Sequence, residues 1–321
     1  IRDTKASRGL GDVYKRQGII EHAREIHPKT EIISRLVSGE IHRSNYEKVC
    51  IRSRKLASAL EKDGVKKGDV IATLALNTYR HLEMYYGISG MGAITHTLNF
   101  RLHPEQAVYI INHAEDKIIF VELPFVPILE ALQENLKTVE KYVVLCEVDE
   151  MPETTLKNAI SYEEYIQDGD ENYSWPTIED DAACALCYTS GTTGNPKGVL
   201  YSHKSNVIHA QAALTAMTIK PDDTILMVVP LFHVLAWGIP YFGPMNGLKL
   251  VMPGMQMEGE PLFELIDQED VTLAFGVPTI WMGLLAYCRD NNKILSSVKN
   301  TIIGGSASVS YTHLTLPTRA Q

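Results

Sequence analysis

The segment from Thr189 to Gly198 combines residue types that suit a bound phosphate. It reads T-S-G-T-T-G-N-P-K-G and holds four hydroxyl side chains, three glycines and Lys197. Glycine lets backbone N–H groups approach phosphate oxygens closely, hydroxyls donate further hydrogen bonds, and lysine adds positive charge. An apolar run, residues 182–188, precedes the segment, and a helix is predicted from about Lys204. The spacing predicts a phosphate-binding loop between a strand and a helix.

Two other interpretations of this segment are weaker. A Walker-type loop, G-x-x-x-x-G-K-[ST], requires glycine five residues after its first glycine, but Pro196 stands there when the count starts from Gly191. A flexible Gly/Thr linker is the other reading. The preceding apolar strand and the Pro-Lys-Gly end at residues 196–198 argue against a linker.

The segment from Tyr188 to Val199 resembles the signature loop of the adenylate-forming superfamily, which includes acyl-CoA synthetases, luciferases and peptide-synthetase adenylation domains. Other motifs resemble the medium- and long-chain fatty acyl-CoA synthetases of this superfamily, and the resemblance spans about residues 18 to 308. These motifs are Asn77–Glu83, Gly90–Ala93, Ile111–Lys117, Val229–Gly238, Gly276–Thr279 and Gly304–Ala307.

The resemblance implies roles for the loop residues. The loop would hold the β- and γ-phosphates of ATP while a carboxylate attacks the α-phosphorus, and Thr189 would lie nearest Mg²⁺. A glutamate that also holds Mg²⁺ in the family would follow Ala307 and is missing from this chain. The predicted phosphate-binding residues are Thr189, Ser190, Gly191, Thr192, Thr193, Gly194 and Lys197.

The resemblance also implies an acyl site. His233 would lie beside the adenylate and the acyl carboxylate, and it is predicted to be catalytic together with Lys197 and Thr189. Trp237 would gate an acyl tunnel. Gly304, Gly305 and Ser306 would border the adenine and acyl pocket. Without the motif, a lone histidine or tryptophan in an apolar run predicts only a packed side chain. His203 and His209 are interpreted as structural.

The implied reaction is a fatty acid–CoA ligation with ATP, Mg²⁺ and coenzyme A. The acid and ATP would give acyl-AMP and pyrophosphate, and then acyl-CoA and AMP. An aryl or short-chain acid–CoA ligase of the same superfamily is an alternative, and so is a non-catalytic nucleotide- or acyl-binding fragment. The chain alone is expected to be inactive because the family's glutamate, aspartate and C-terminal lysine would follow Ala307.

Strands that alternate with helices predict an α/β fold. The resemblance implies two doubly wound, mainly parallel sheet lobes of an incomplete N-terminal domain, without the family's β-barrel part or small C-terminal domain. We predict the first lobe at residues 18–180 and the second, which carries the phosphate loop, at residues 181–308. Residues 1–17 and 309–321 resemble translated adapter sequence and are predicted to be non-native tails.

Composition and charge limit the partners and the cellular location that the sequence predicts. The 321 residues are 45% hydrophobic and 21% charged, and the net charge is −9 without a basic stripe, which disfavours nucleic acid. Five cysteines favour a cytoplasmic location, and Cys184 and Cys187 are predicted to be buried strand thiols. Residues 225–248 contain no charged side chain, but repeated Pro and Gly argue against a transmembrane helix. Peripheral membrane contact and a homodimer stay open.

Overall fold

The structure is a computed structural model that describes residues 15–189, 195–217 and 219–305. Its described residues form two sheets flanked by helices. The strands are β1 (Glu31–Arg35), β2 (Ile41–Asn45), β3 (Val70–Leu74), β4 (Ile94–Thr97), β5 (Ile118–Val121), β6 (Lys141–Val144), β7 (Ala159–Ser161), β8 (Ala183–Thr189), β9 (Lys197–Ser202), β10 (Thr224–Met227), β11 (Lys249–Met252), β12 (Leu273–Gly276) and β13 (Asn300–Ile303).

The helices connect successive strands or cover the sheets. They are α1 (Arg16–Ile26), α2 (Tyr46–Lys62), α3 (Tyr79–Gly90), α4 (Pro104–Ala114), α5 (Val126–Leu132), α6 (Tyr162–Gln167), α7 (His203–Ala216), α8 (Ile239–Met245), α9 (Gly259–Gln268) and α10 (Pro278–Asp290). None of the helices in the described part of the chain is long and apolar enough to cross a membrane. Residues 225–248 fold as β10, a turn and α8, as predicted from their Pro and Gly.

Both sheets are mainly parallel, which confirms the α/β prediction. The seven-stranded sheet has the order β7-β6-β5-β3-β4-β8-β9, and only β9 in it runs antiparallel to its neighbour. The six-stranded sheet has the order β13-β12-β10-β11-β1-β2, in which only β2 is antiparallel. The carboxyl ends of parallel strands share one edge of a sheet, and that edge is where ligands of such folds bind.

The predicted lobe boundary at residues 180 and 181 does not separate the two sheets. Strands β1 and β2 come from the predicted first lobe but pair with β11 in the six-stranded sheet. Strands β8 and β9 come from the predicted second lobe but extend the seven-stranded sheet beside β4. Parallel strands need long crossover connections, so chain order does not reveal which strands become neighbours.

Helix α3 lies in the core between the sheets. All twelve of its residues are buried. Leu82, Tyr85 and Tyr86 pack in one hydrophobic cluster with residues of β10, β11 and α8, whereas Met84 and Ile88 pack in another with residues of β3 and α2. A helix that is buried on every side must satisfy its polar groups internally. Helix α3 therefore packs against both sheets.

The N-terminal part of the described chain overlaps the predicted tail. Helix α1 begins at Arg16, within the predicted tail of residues 1–17, and both Arg16 and Gln17 are buried. Arg16 Nη1 donates to the carbonyl of Cys184 at 3.2 Å, and its guanidinium lies 4.6 Å from the ring centre of Tyr241. Residues 15–17 thus pack against the core, and their prediction as part of a non-native tail is not tested by these contacts. Residues 1–14 and 309–321 lie outside the described residues.

Candidate functional site

Strands β8 and β9 form a hairpin that closes the predicted phosphate loop. Thr189 is paired with Lys197 in the antiparallel register, at the last pair before the turn, and both residues are exposed. The predicted loop residues Ser190, Gly191, Thr192, Thr193 and Gly194 lie outside the described residues. The sequence predicted a strand, a loop and a helix, but an antiparallel strand follows the loop before α7 begins at His203. The N-terminus of α7 therefore lies at the opposite end of the β8–β9 pairing from Thr189 and Lys197.

The end of β8 contacts helix α4 and strand β4. The hydroxyl of Tyr188 lies 2.6 Å from Nδ1 of His113, which is on α4. The Tyr188 ring also lies 5.2 Å from the ring of His96, whose Nδ1 is 2.8 Å from a carboxylate oxygen of Asp116. His96 and Asp116 are fully buried, and burial raises the pKa of Asp116. These contacts fix the residue that immediately precedes Thr189.

His233 follows β10 and lies at the surface, directly after a backbone segment that is held by the seven-stranded sheet. The hydroxyl of Thr97, the last residue of β4, donates to the carbonyl of Phe232 at 3.2 Å. The same hydroxyl lies 3.3 Å from Sγ of Cys187, its partner in the register between β4 and β8. The peptide before His233 therefore lies next to the carboxyl end of β8, two residues from Thr189.

A left-handed turn connects His233 to α8. Its four residues, Val234 to Trp237, have φ angles of 46°, 52°, 48° and 55°, and Gly238 follows at 85°. Left-handed conformation costs an L-residue roughly 1–2 kcal/mol, and a branched residue such as Val234 adopts it rarely. Leu235 and Ala236 of the turn are buried in the same hydrophobic cluster as Cys187 of β8. The turn thus packs into the cluster to which β8 contributes.

Trp237 and the predicted pocket glycines come together at the carboxyl end of β13. A β-carbon added to Gly304 would stand 2.7 Å from Cη2 of the Trp237 indole, so a larger residue at position 304 would collide with the ring. Gly305 has φ +87°, and a β-carbon there would lie 3.2 Å from Cγ1 of Val277. Ser306, the third predicted residue of this turn, lies outside the described residues.

The other histidines of this region differ in their surroundings. His203 is buried, and its Nδ1 accepts from the backbone N–H of Arg16 at 3.2 Å. Burial lowers the pKa of His203 to about 3. His209 is exposed on α7, and its ring lies within 2.7 Å of a β-carbon added to Gly238. The contacts of His203 fit its interpretation as a structural residue.

All five cysteines are buried and free, and Cys184 and Cys187 lie on β8 as predicted. Within residues 15–189, 195–217 and 219–305, no group of three or more His, Cys, Asp or Glu side chains is placed to hold a metal ion. The Mg²⁺ contact of Thr189 stays a prediction.

Comparison with known proteins places these features in a family. The family model described as AMP-binding enzyme matches residues 20–314. A medium-chain-fatty-acid–CoA ligase of Ectopseudomonas oleovorans is 45% identical over 304 residues, which cover 93% of this chain and 56% of the relative. A 3-methylmercaptopropionyl-CoA ligase of Ruegeria lacuscaerulensis is also 45% identical, over 90% of this chain and 54% of the relative.

Solved structures share the fold. A long-chain-fatty-acid-CoA ligase from Archaeoglobus fulgidus superposes with a TM-score of 0.81 at 23% identity, over 92% of this chain and 59% of that one. The chain thus spans little more than half the length of the relatives it matches. Because the family model covers nearly the whole chain and the sequence relatives reach 45% identity, this chain belongs to the AMP-binding enzyme family.

Proposed function

We propose that the chain is part of an ATP-dependent acid–CoA ligase whose substrate is a medium- or long-chain fatty acid. The observation that carries this proposal is the β8–β9 hairpin, which sets Thr189 opposite Lys197 beside the peptide that leads to His233. The relatives named as fatty acid–CoA and 3-methylmercaptopropionyl-CoA ligases support an acid–CoA ligase.

The proposed roles follow from the chemistry of these side chains. An exposed ammonium and an exposed hydroxyl on facing strands suit the oxygens of a polyphosphate, so Lys197 and Thr189 would bind ATP together with residues 190–194. Mg²⁺ bound with ATP would neutralise part of the phosphate charge. His233 would donate a hydrogen bond to the carboxylate as the acyl phosphate forms. Gly304 and Trp237 would form one wall of the acyl pocket.

Coenzyme A completes the proposed reaction, but no residue is assigned to it. A cytoplasmic location is part of the same proposal, and the five free, buried cysteines support it. Peripheral membrane contact and a homodimer remain parts of the proposal.

A shorter acid is the second candidate, because the methylmercaptopropionyl relative is as similar as the medium-chain relative. The two candidates separate in one experiment. The chain would be completed with the C-terminal part of the Ectopseudomonas ligase, and AMP release would be measured with straight-chain acids of increasing length. Greatest kcat/KM for a medium or long alkyl acid supports the first candidate, and greatest kcat/KM for a short acid supports the second. AMP release that needs neither acid nor coenzyme A contradicts both.

A further inference from the structure

Asn77 connects the two sheets through three hydrogen bonds to one backbone segment. It follows β3 of the seven-stranded sheet, and its side chain is 7% exposed. Its Nδ2 donates to the carbonyls of Met227 and Val229 at 2.8 Å each, and its Oδ1 accepts from the N–H of Leu231 at 2.8 Å. These partners lie at the end of β10 and in the peptide just before His233. All three of these hydrogen bonds of the Asn77 side chain therefore go to that one segment.

Two more side chains hold the same segment, one from α3 and one from β4 of the seven-stranded sheet. The hydroxyl of Tyr85, on α3, donates to the carbonyl of Leu231. The hydroxyl of Thr97, at the end of β4, donates to the carbonyl of Phe232 at 3.2 Å. Tyr85 is fully buried and Thr97 is 3% exposed. Buried hydrogen bonds of this kind fix a backbone because breaking one leaves a desolvated polar group without a partner.

The held segment ends where the site begins. The carbonyls of Met227, Val229, Leu231 and Phe232 accept hydrogen bonds from the side chains of Asn77, Tyr85 and Thr97, and the exposed His233 is the next residue. The unfavourable left-handed turn at residues 234–237 follows directly. A fixed backbone on one side of His233 lets a strained turn on its other side persist, since surrounding contacts must over-determine strained residues.

From this geometry we infer that Asn77 is a positioning residue for His233. Thr97 and Tyr85 contribute by binding the same backbone segment. The inference rests on the proposed function, because it assigns a purpose to where His233 stands. Asn77 touches backbone only and is not a catalytic residue. Its effect on the reaction would come from the position of the imidazole relative to the acid carboxylate.

Variants of Asn77 and Thr97 test the inference against matched controls. Asn77→Asp keeps the acceptor for Leu231 but replaces the amide donor with a carboxylate that repels two carbonyls. Thr97→Val removes one hydroxyl without changing shape. The control for the first is Asn112→Asp, because Asn112 also donates to one carbonyl and accepts from one N–H, at the end of α4. The control for the second is Thr95→Val, since Thr95 is buried on β4 and its hydroxyl has no partner among the described residues.

Two measurements show the effect of each substitution. In the chain itself, hydrogen exchange at the Leu231 amide reports the hold on the segment whatever the reaction is. In the chain completed with the Ectopseudomonas C-terminal part, acid-dependent exchange of pyrophosphate into ATP reports positioning. We expect Asn77→Asp to speed exchange of the Leu231 amide, because repulsion from the carbonyls of Met227 and Val229 would push the carboxylate away from the segment. Both site variants should lower kcat about tenfold or more while KM for ATP changes less than about twofold. Both control variants should keep the wild-type kcat.

The outcomes separate failure of this inference from failure of the proposed function. If the completed wild-type protein exchanges pyrophosphate and the folded site variants keep its kcat, the inference is wrong and the proposed function stands. Equal loss in the site and control variants also overturns it, because general destabilisation would then be the cause. If Asn77→Asp does not fold, Thr97→Val against Thr95→Val decides. If the completed wild-type protein does not exchange pyrophosphate into ATP, the proposed function is contradicted. The positioning role of Asn77 then fails with it, even if the Leu231 amide is protected from hydrogen exchange.

Discussion

Gly304 lies against the indole ring of Trp237, so closely that a β-carbon on Gly304 would stand 2.7 Å from Cη2. The contact joins the turn after β13 to the left-handed turn after His233. Two segments that are 67 positions apart in the chain therefore shape one surface of the proposed acyl pocket, and neither can change without moving the other.

Replacing Gly304 with alanine should displace the Trp237 ring. We expect Gly304→Ala in the completed ligase to lower kcat/KM for the preferred acid about tenfold, because a well-packed site accommodates an added methyl poorly. Adding Trp237→Ala should recover part of the loss by removing the colliding ring. The control is Gly283→Ala on α10, where a β-carbon meets nothing within 4 Å. Wild-type kcat/KM for Gly304→Ala would show that the contact does not shape the pocket.

Arg16 is predicted to destabilise the fold. Its guanidinium is buried, and its Nε and Nη2 have no hydrogen-bond partner within the described residues. Each unsatisfied buried donor costs about 1–3 kcal/mol, whereas contact with an aromatic ring offsets up to about 2 kcal/mol. Arg16→Met should therefore raise the melting temperature.

The matched control is Arg54→Met on the neighbouring helix α2. Arg54 Nε donates to the buried carboxylate of Glu21 at 2.8 Å. Removing that partner should lower the melting temperature, because Glu21 would lose part of its compensation. A lower melting temperature for Arg16→Met as well would show that Arg16 contributes net stability.

Glu122 is predicted to make stability fall as pH rises. It is buried at the end of β5, where its Oε2 accepts from the Leu76 N–H at 3.2 Å, and burial raises its pKa from an ordinary 4.5 to about 7. Between those pH values the folded state holds a proton that the unfolded state has released, so stability decreases with rising pH. Above pH 7 the penalty levels off at roughly 3 kcal/mol.

Glu122→Gln removes this titration while keeping an oxygen acceptor for Leu76. The variant should therefore be more stable than wild type at pH 8 by up to roughly 3 kcal/mol, and the difference should shrink towards zero by about pH 4.5. Chemical denaturation at several pH values measures this difference. Glu134→Gln, at an exposed position, serves as the control. A difference between Glu122→Gln and wild type that is constant from pH 4.5 to 8 would contradict the assignment.

Much of the local structure followed from the sequence. The apolar run before the loop became β8. Ser38, Gly39 and Glu40 between β1 and β2 are typical turn residues, and Gly39 has φ 89°. Asparagine is a favoured helix N-cap residue, and the Oδ1 of Asn45, just before α2, accepts from the Lys48 N–H at 2.9 Å. These features depend on neighbouring residues, so local patterns contain the information.

Long-range features could not be predicted in the same way. The pairing of β1 with β11 joins residues more than 200 positions apart, and no local pattern encodes that register. The left-handed turn at residues 234–237 opposes the intrinsic preference of its residues, and only tertiary contacts maintain it. Asn77 did give a signal, a polar residue directly after the apolar run of β3. Its hydrogen-bond partners, about 150 positions away, became visible only in the structure.

The central claim is that the hairpin bearing Thr189 and Lys197 holds the phosphates of ATP. Acid-dependent exchange of pyrophosphate into ATP by the completed ligase tests it most directly, with Lys197→Ala compared with Lys204→Ala, an exposed lysine just after β9. We predict that Lys197→Ala lowers the exchange rate at least about tenfold because a charge on the phosphates is lost, and that Lys204→Ala does not. Equal exchange rates for wild type and Lys197→Ala would contradict the claim.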